Sequence, residues 1–83
     1  MKKSSISHEY AVLGETLRQA REKAGVTQVE LAARLKQTQS YVSKLERGAV
    51  RLDFVQVRRI CVTLDGRFIE FARRFEANLS PKR

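Results

Sequence analysis

The stretch TQVELAARLKQTQSYVSKLERG, Thr27 to Gly48, decides how this chain folds. Thr27 with Glu30 three residues later is a capping box, in which each side chain satisfies a free backbone N–H at a helix start, and Val26 against Leu31 supplies the hydrophobic staple. A short helix therefore begins at Gln28, buries Leu31, Ala32 and Leu35, and has a predicted span of 28–36. Thr38 caps a second helix, 39–47, in which Val42 and Leu45 face inward and Gly48 suits the left-handed position that ends a helix. Two short helices joined in this way make a helix-turn-helix, with Ala32 small enough to let them cross closely. The outward face of the second helix carries Gln39, Ser40, Ser43, Lys44 and Arg47 and is entirely polar.

The same punctuation extends in both directions. Upstream, Leu13, Leu17, Ala20 and Ala24 recur at helical spacing before Gly25, which predicts a helix over 9–24. Downstream, Asp53 with Gln56 forms another capping box and Leu52 with Val57 another staple, so a helix runs over 54–64 with Val57, Ile60, Cys61 and Leu64 on one stripe until Asp65 and Gly66 break it. A last helix, 67–79, carries Phe68, Ile69, Phe71, Ala72, Phe75 and Leu79, and Ser80 with Pro81 ends it. Strand signals are nearly absent, so the fold class is all-α, with five helices in one domain over 9–79. A basic arm over 1–8 and a basic tail over 80–83 are expected to be flexible. At 83 residues the core is thin, and burial against a partner would strengthen it.

Seventeen basic residues against nine acidic ones give a net charge of +8, which points to a polyanion such as nucleic acid or an anionic membrane face. Seven of the basic residues, against two acidic ones, fall between Arg34 and Arg59, around the helix-turn-helix. No apolar run is long enough to span a bilayer, and MKKSSISHEY has no apolar segment after its lysines, so a soluble chain without a secretory leader is expected. The single Cys61 has no disulfide partner in the chain, which fits a reducing cytoplasm, and its place on an apolar stripe makes it a small core residue. His8 stands near the N-terminus with no neighbouring acid or thiol that would complete a metal or catalytic set. With no paired carboxylates, no nucleophile beside a base and no glycine-rich phosphate loop, neither an enzymatic activity nor a cofactor or small-molecule ligand is expected.

The run LRQAREKAGVTQVELAARLKQTQSYVSKLERG, Leu17 to Gly48, closely resembles the DNA-binding domain of the phage-repressor family, the Cro, cI and xenobiotic-response-element group of regulators. The likeness rests on Thr27–Gln28, Leu31–Ala32, the stretch from Ser40 to Gly48 and the Ala20–Glu22 triplet, and extends over about residues 13–64. It implies a five-helix lambda-repressor-like domain acting as a sequence-specific transcriptional regulator on double-stranded DNA. Gln28 matches the family glutamine that touches a phosphate and steadies the first residue of the recognition helix, and Gln39 matches that first residue. A glutamine amide complements adenine N7 and N6, so Gln39, with Ser40 and Lys44, is the expected base-reading set. Ser43, Arg47, Arg51, Lys36 and Thr38 join Gln28 as expected phosphate contacts. Taken without the family pattern, each of these residues also reads as an ordinary solvated surface residue.

Arg21 and Glu46 match the family's internal ion pair, which explains an acid on a helix facing DNA. Two positions depart from the pattern: Lys36 stands where the turn glycine is usual, and Gln37 replaces an apolar residue. Lys36 must therefore adopt a left-handed conformation at a cost of about 1 kcal/mol, or the turn must be reshaped.

The stripe of Phe68, Phe71, Phe75 and Leu79 exceeds what a four-helix core needs, and is expected to divide between the core and a two-fold homodimer interface. A competing reading is an antitoxin-like module that holds a protein partner through this helix and binds DNA only for autoregulation. Membrane attachment is disfavoured, because the helix lacks a dominant basic face.

Overall fold

A computed structural model describes residues 5–80, which form five α-helices and no strand: α1 Ser5–Lys23, α2 Gln28–Leu35, α3 Gln39–Glu46, α4 Phe54–Thr63 and α5 Phe68–Leu79. Both capping boxes form. Thr27 Oγ1 accepts from the Glu30 N–H at 3.0 Å while Glu30 Oε1 accepts from the Thr27 N–H at 2.8 Å, which holds the Glu30 carboxyl below its ordinary pKa. Asp53 and Gln56 repeat the exchange at 2.7 and 2.8 Å. The Thr38 hydroxyl accepts from the Tyr41 N–H at 3.0 Å, so the second helix of the motif starts where its cap requires.

Four helices end alike, on a residue with positive φ: Gly25 after α1, Lys36 after α2, Gly48 after α3 and Asp65 after α4. In each case the next residue's N–H reaches back five residues, as from Gln37 to the Ala32 carbonyl at 2.9 Å and from Gly66 to that of Cys61 at 2.9 Å. Lys36 takes the strained option open to it, at φ 58 and ψ 44, and the turn keeps its shape without a glycine. After α4 the left-handed residue is Asp65 rather than Gly66, a conformation that aspartate tolerates better than most side chains.

Helix boundaries differ from the sequence reading by one residue at the ends of α1 to α4 and at the start of α5, and by four at the start of α1. α1 begins at Ser5 instead of residue 9, so the second half of the expected arm is helical; residues 1–4 of that arm and 81–83 of the expected tail lie outside the described residues. The core gathers Leu17, Val26, Leu31, Ala32, Val42, Leu45, Leu52, Val57, Ile60, Cys61, Leu64 and Phe71.

α1 and α3 approach closely at Gly14, which the sequence reading overlooked. A Cβ at Gly14 would stand 2.6 Å from the carbonyl oxygens of both Leu45 and Glu46. Gly48, left-handed at φ 78, meets the same helix from the other side, where a Cβ would lie 2.7 Å from Ala11 Cα. Two glycines thus let the first helix lie directly against the end of α3.

The division of the α5 stripe needs correcting. Phe71 faces α1 and is buried, and Asn78 on the same side donates to Thr16 Oγ1 at 2.9 Å, so Phe71 belongs to the core and is closed to a partner. Phe68, Phe75 and Leu79 stay half-buried. On α4 and α5 the large apolar side chains left in the open are instead Phe54, Val55, Val62 and Ile69, with Phe54, 74% exposed, edge-on to Phe68 at 5.0 Å between ring centroids; Ile6 and Val29 are exposed elsewhere.

Candidate nucleic-acid interface

The amphipathic register of α3 divides it cleanly. At 100° per residue, Gln39, Ser43, Arg47, Ser40 and Lys44 fall within an arc of about 140°. All but the half-buried Ser43 are exposed, while Val42 and Leu45 on the opposite side, and Glu46 at the edge of the arc beside Gln39, are buried.

Glu46 anchors that buried side. Arg21 Nε donates to Glu46 Oε2 at 2.6 Å and Arg21 Nη2 to Glu46 Oε1 at 3.1 Å, a two-pronged pair with both side chains largely removed from solvent. Arg21 Nη1 also donates to the Val26 carbonyl at 2.8 Å, which ties the pair to the turn between α1 and α2. The hydrogen bonds Arg21 donates to Glu46 push the Arg21 pKa above its ordinary value, against the opposing effect of burial. A pair of this kind fixes geometry more than it stabilises, and loss of one partner is the damaging event.

Glu46 has a third donor, Gln28 Nε2, at 3.0 Å. Gln28 Oε1 in turn accepts from Gln39 Nε2 at 3.3 Å. The two glutamines eleven residues apart are thus joined, and both connect back to α1 through Glu46. Sequence reasoning paired Glu46 with Arg21 alone, because nothing local in the chain signals a bond across the 18 residues between Gln28 and Glu46.

The remaining candidates are spread around this axis. Arg47 Nη1 lies against Ser43 Oγ at 2.7 Å, folded along α3. Ser40 and Lys44 are exposed, and their side chains hold no hydrogen bond or ion pair among the described residues. Thr38 keeps its hydroxyl oxygen on the helix cap, and Lys36 stands exposed in the turn beside it. Arg51 lies outside α3, its guanidinium carbon 4.3 Å from the centre of the Tyr10 ring, and the Tyr10 hydroxyl donates to the Leu52 carbonyl at 3.3 Å. Tyr10 is thus a support that the sequence reading missed. Arg34 is committed elsewhere, donating to the Thr63 carbonyl at 3.1 Å and joining α2 to the end of α4.

A cleft of about 380 Å³ opens between α1 and α5, away from this face, and Thr16, Ala20, Leu64 and Phe71 line it together with Cys61. Burial pushes the Cys61 thiol up to about 11, which keeps it protonated and unreactive near neutral pH. Among the described residues no helix is long and apolar enough to cross a membrane.

Helices α2 and α3, their short turn and the polar outer face of α3 define a helix-turn-helix of the phage-repressor type. A model of the helix-turn-helix domain matches residues 12–66, most of the chain, and the chain belongs to that family of DNA-binding transcriptional regulators. Among solved structures it is similar to the clp gene regulator ClgR of Corynebacterium glutamicum. One crystal structure of ClgR superposes with a TM-score of 0.79 at 26% identity, over 87% of this chain and 92% of that one. A second gives 0.70 at 28% identity, over 88% and 82%. No curated protein matches the chain in sequence.

Proposed function

We propose that the chain is a sequence-specific regulator that binds an inverted repeat in double-stranded DNA as a homodimer, with α3 in the major groove, and acts as a repressor or autoregulator in a bacterial or phage cytoplasm. The observation that carries this reading is the exposed polar arc of α3, whose leading residue Gln39 is held from behind by Gln28. In this reading Gln39, Ser40 and Lys44 meet base edges, and Gln28, Lys36, Thr38, Ser43, Arg47 and Arg51 meet phosphates. The cluster of basic residues around the motif supports the phosphate contacts, and the regulator ClgR, as a structural relative, supports a role in transcription. The second copy meets the first along α5 through Phe68, Phe75 and Leu79, the members of the stripe left half-exposed, with Phe54 beside them. The reading involves no catalytic step, metal or cofactor.

Selection of bound sites from random double-stranded DNA tests it. The expected product is two copies of one half-site in inverted orientation, with centres about 34 Å or a multiple of that apart. Recovery of DNA with no common motif would remove sequence-specific binding from the account.

A further inference from the structure

The three donors that converge on Glu46 impose a direction on everything connected to it. A carboxylate has no proton to give, so any amide that meets it must do so with its nitrogen. Gln28 accordingly turns Nε2 toward Glu46 Oε1, at 3.0 Å, and its own oxygen is left facing α3. That oxygen only accepts, so Gln39 meets it with Nε2, at 3.3 Å. The Gln39 amide is thereby left with Oε1 and one Nε2–H free, in a fixed left-to-right order. An amide in place of the carboxylate at position 46 could show either end to Gln28, and both glutamines would then be free to turn over.

We propose that the buried Arg21–Glu46 pair is a specificity determinant, which acts through Gln28 to set which way round the Gln39 amide faces DNA. Glu46 and Gln28 are positioning residues in this scheme, and only Gln39 touches the base. The order they impose, one acceptor beside one donor, matches the N6–H donor and N7 acceptor of adenine. Turning the amide over would set donor against donor and acceptor against acceptor. The inference rests on the proposed reading of bases by α3.

The test compares Kd values for the parent, Gln39→Ala and Glu46→Gln proteins on four duplexes that differ only at the base pair where Gln39→Ala relaxes the parent's preference. Glu46→Gln keeps the shape of the side chain but removes the obligatory acceptor. The preference for adenine over the other bases is expected to fall by about threefold to tenfold, less than the full value of a bidentate contact. Binding to unrelated DNA should stay within about twofold of the parent, because phosphate contacts supply it. A purely structural role for Glu46 predicts instead that all four duplexes weaken by the same factor, with their ratios intact, and that result overturns the proposal. If Gln39→Ala itself leaves the ratios unchanged at every position, base reading by α3 fails and the relay fails with it. If Gln39→Ala relaxes the ratios and Glu46→Gln does not, the relay alone is wrong.

Melting followed by circular dichroism establishes whether Glu46→Gln is folded. Where it is not, NMR on the labelled parent without DNA decides: a through-bond coupling from the Gln28 side-chain N–H to the Glu46 carboxyl carbon supports the relay, and a Gln28 amide in free exchange with solvent overturns it.

Discussion

On its back, α3 is clamped: the carbonyls of Leu45 and Glu46 rest on Gly14, Gly48 turns the chain against Ala11, and Glu46 holds two donors of Arg21. On its front, the same eight-residue helix leaves Gln39, Ser40 and Lys44 exposed, with Arg47 just past its end, and among the described residues the side-chain ties of this face are Gln39 to Gln28 and Arg47 to Ser43. The difference teaches which changes belong to stability and which to recognition. Apart from Glu46, whose bond to Gln28 carries its influence to the front, a side chain altered behind α3 shifts the whole helix and weakens binding to every DNA, whereas one altered in front leaves the fold intact and changes what the helix prefers.

The strongest way to break the back is Gly14→Ala. A methyl there meets two backbone oxygens that cannot move without their helix, so overpacking is expected to cost about 3 kcal/mol. For a domain of this size that lowers the melting temperature by roughly 12–24 °C, measured by circular dichroism. A melting temperature within about 4 °C of the parent would show that the seam between α1 and α3 can yield.

Arg51→Ala sharpens the contrast from outside α3. The Arg51 guanidinium rests on Tyr10 and is free of ion pairs among the described residues, so its removal should leave stability nearly untouched. Titrations across a range of salt should show weaker binding to all sequences alike, with the slope of log K against log salt shallower by about 1. A change in base preference at one position instead would move Arg51 into the reading set.

The smallest expected effect is a gain. Lys36 carries the left-handed conformation that glycine adopts without strain, so Lys36→Gly should stabilise the domain by about 1 kcal/mol, a rise in melting temperature of roughly 4–8 °C. The same variant removes a proposed phosphate contact, so a steadier domain should bind DNA slightly less tightly. An unchanged or lower melting temperature would mean that the turn draws stability from the lysine itself.

What the sequence made legible was local. Thr27 with Glu30 and Asp53 with Gln56 state their helix starts within four residues, because a cap is a contact between near neighbours. At Lys36 the family pattern left two outcomes, a left-handed residue or a reshaped turn, and the chain takes the first. The contacts that were not legible join distant residues. Gly14 is one small residue in a helical pattern until α3 is laid across it, Tyr10 and Arg51 meet only when α1 comes against the loop between α3 and α4, and Glu46 gains Gln28 only after the motif has folded. The division of the α5 stripe between core and partner was left open for the same reason. An aromatic stripe on α5 looks identical in sequence whether α1 or a second copy covers it, and here α1 covers the Phe71 side.

The central claim is that the front of α3 chooses the DNA sequence. It is tested most directly by selecting sites from random double-stranded DNA with the parent and with a Gln39→Ala, Lys44→Ala variant of matched helical content and melting temperature. The account predicts a defined half-site for the parent and, for the variant, loss of preference at the positions those two side chains read, by roughly tenfold at each. Recovery of the same motif with the same base frequencies from both proteins would contradict it.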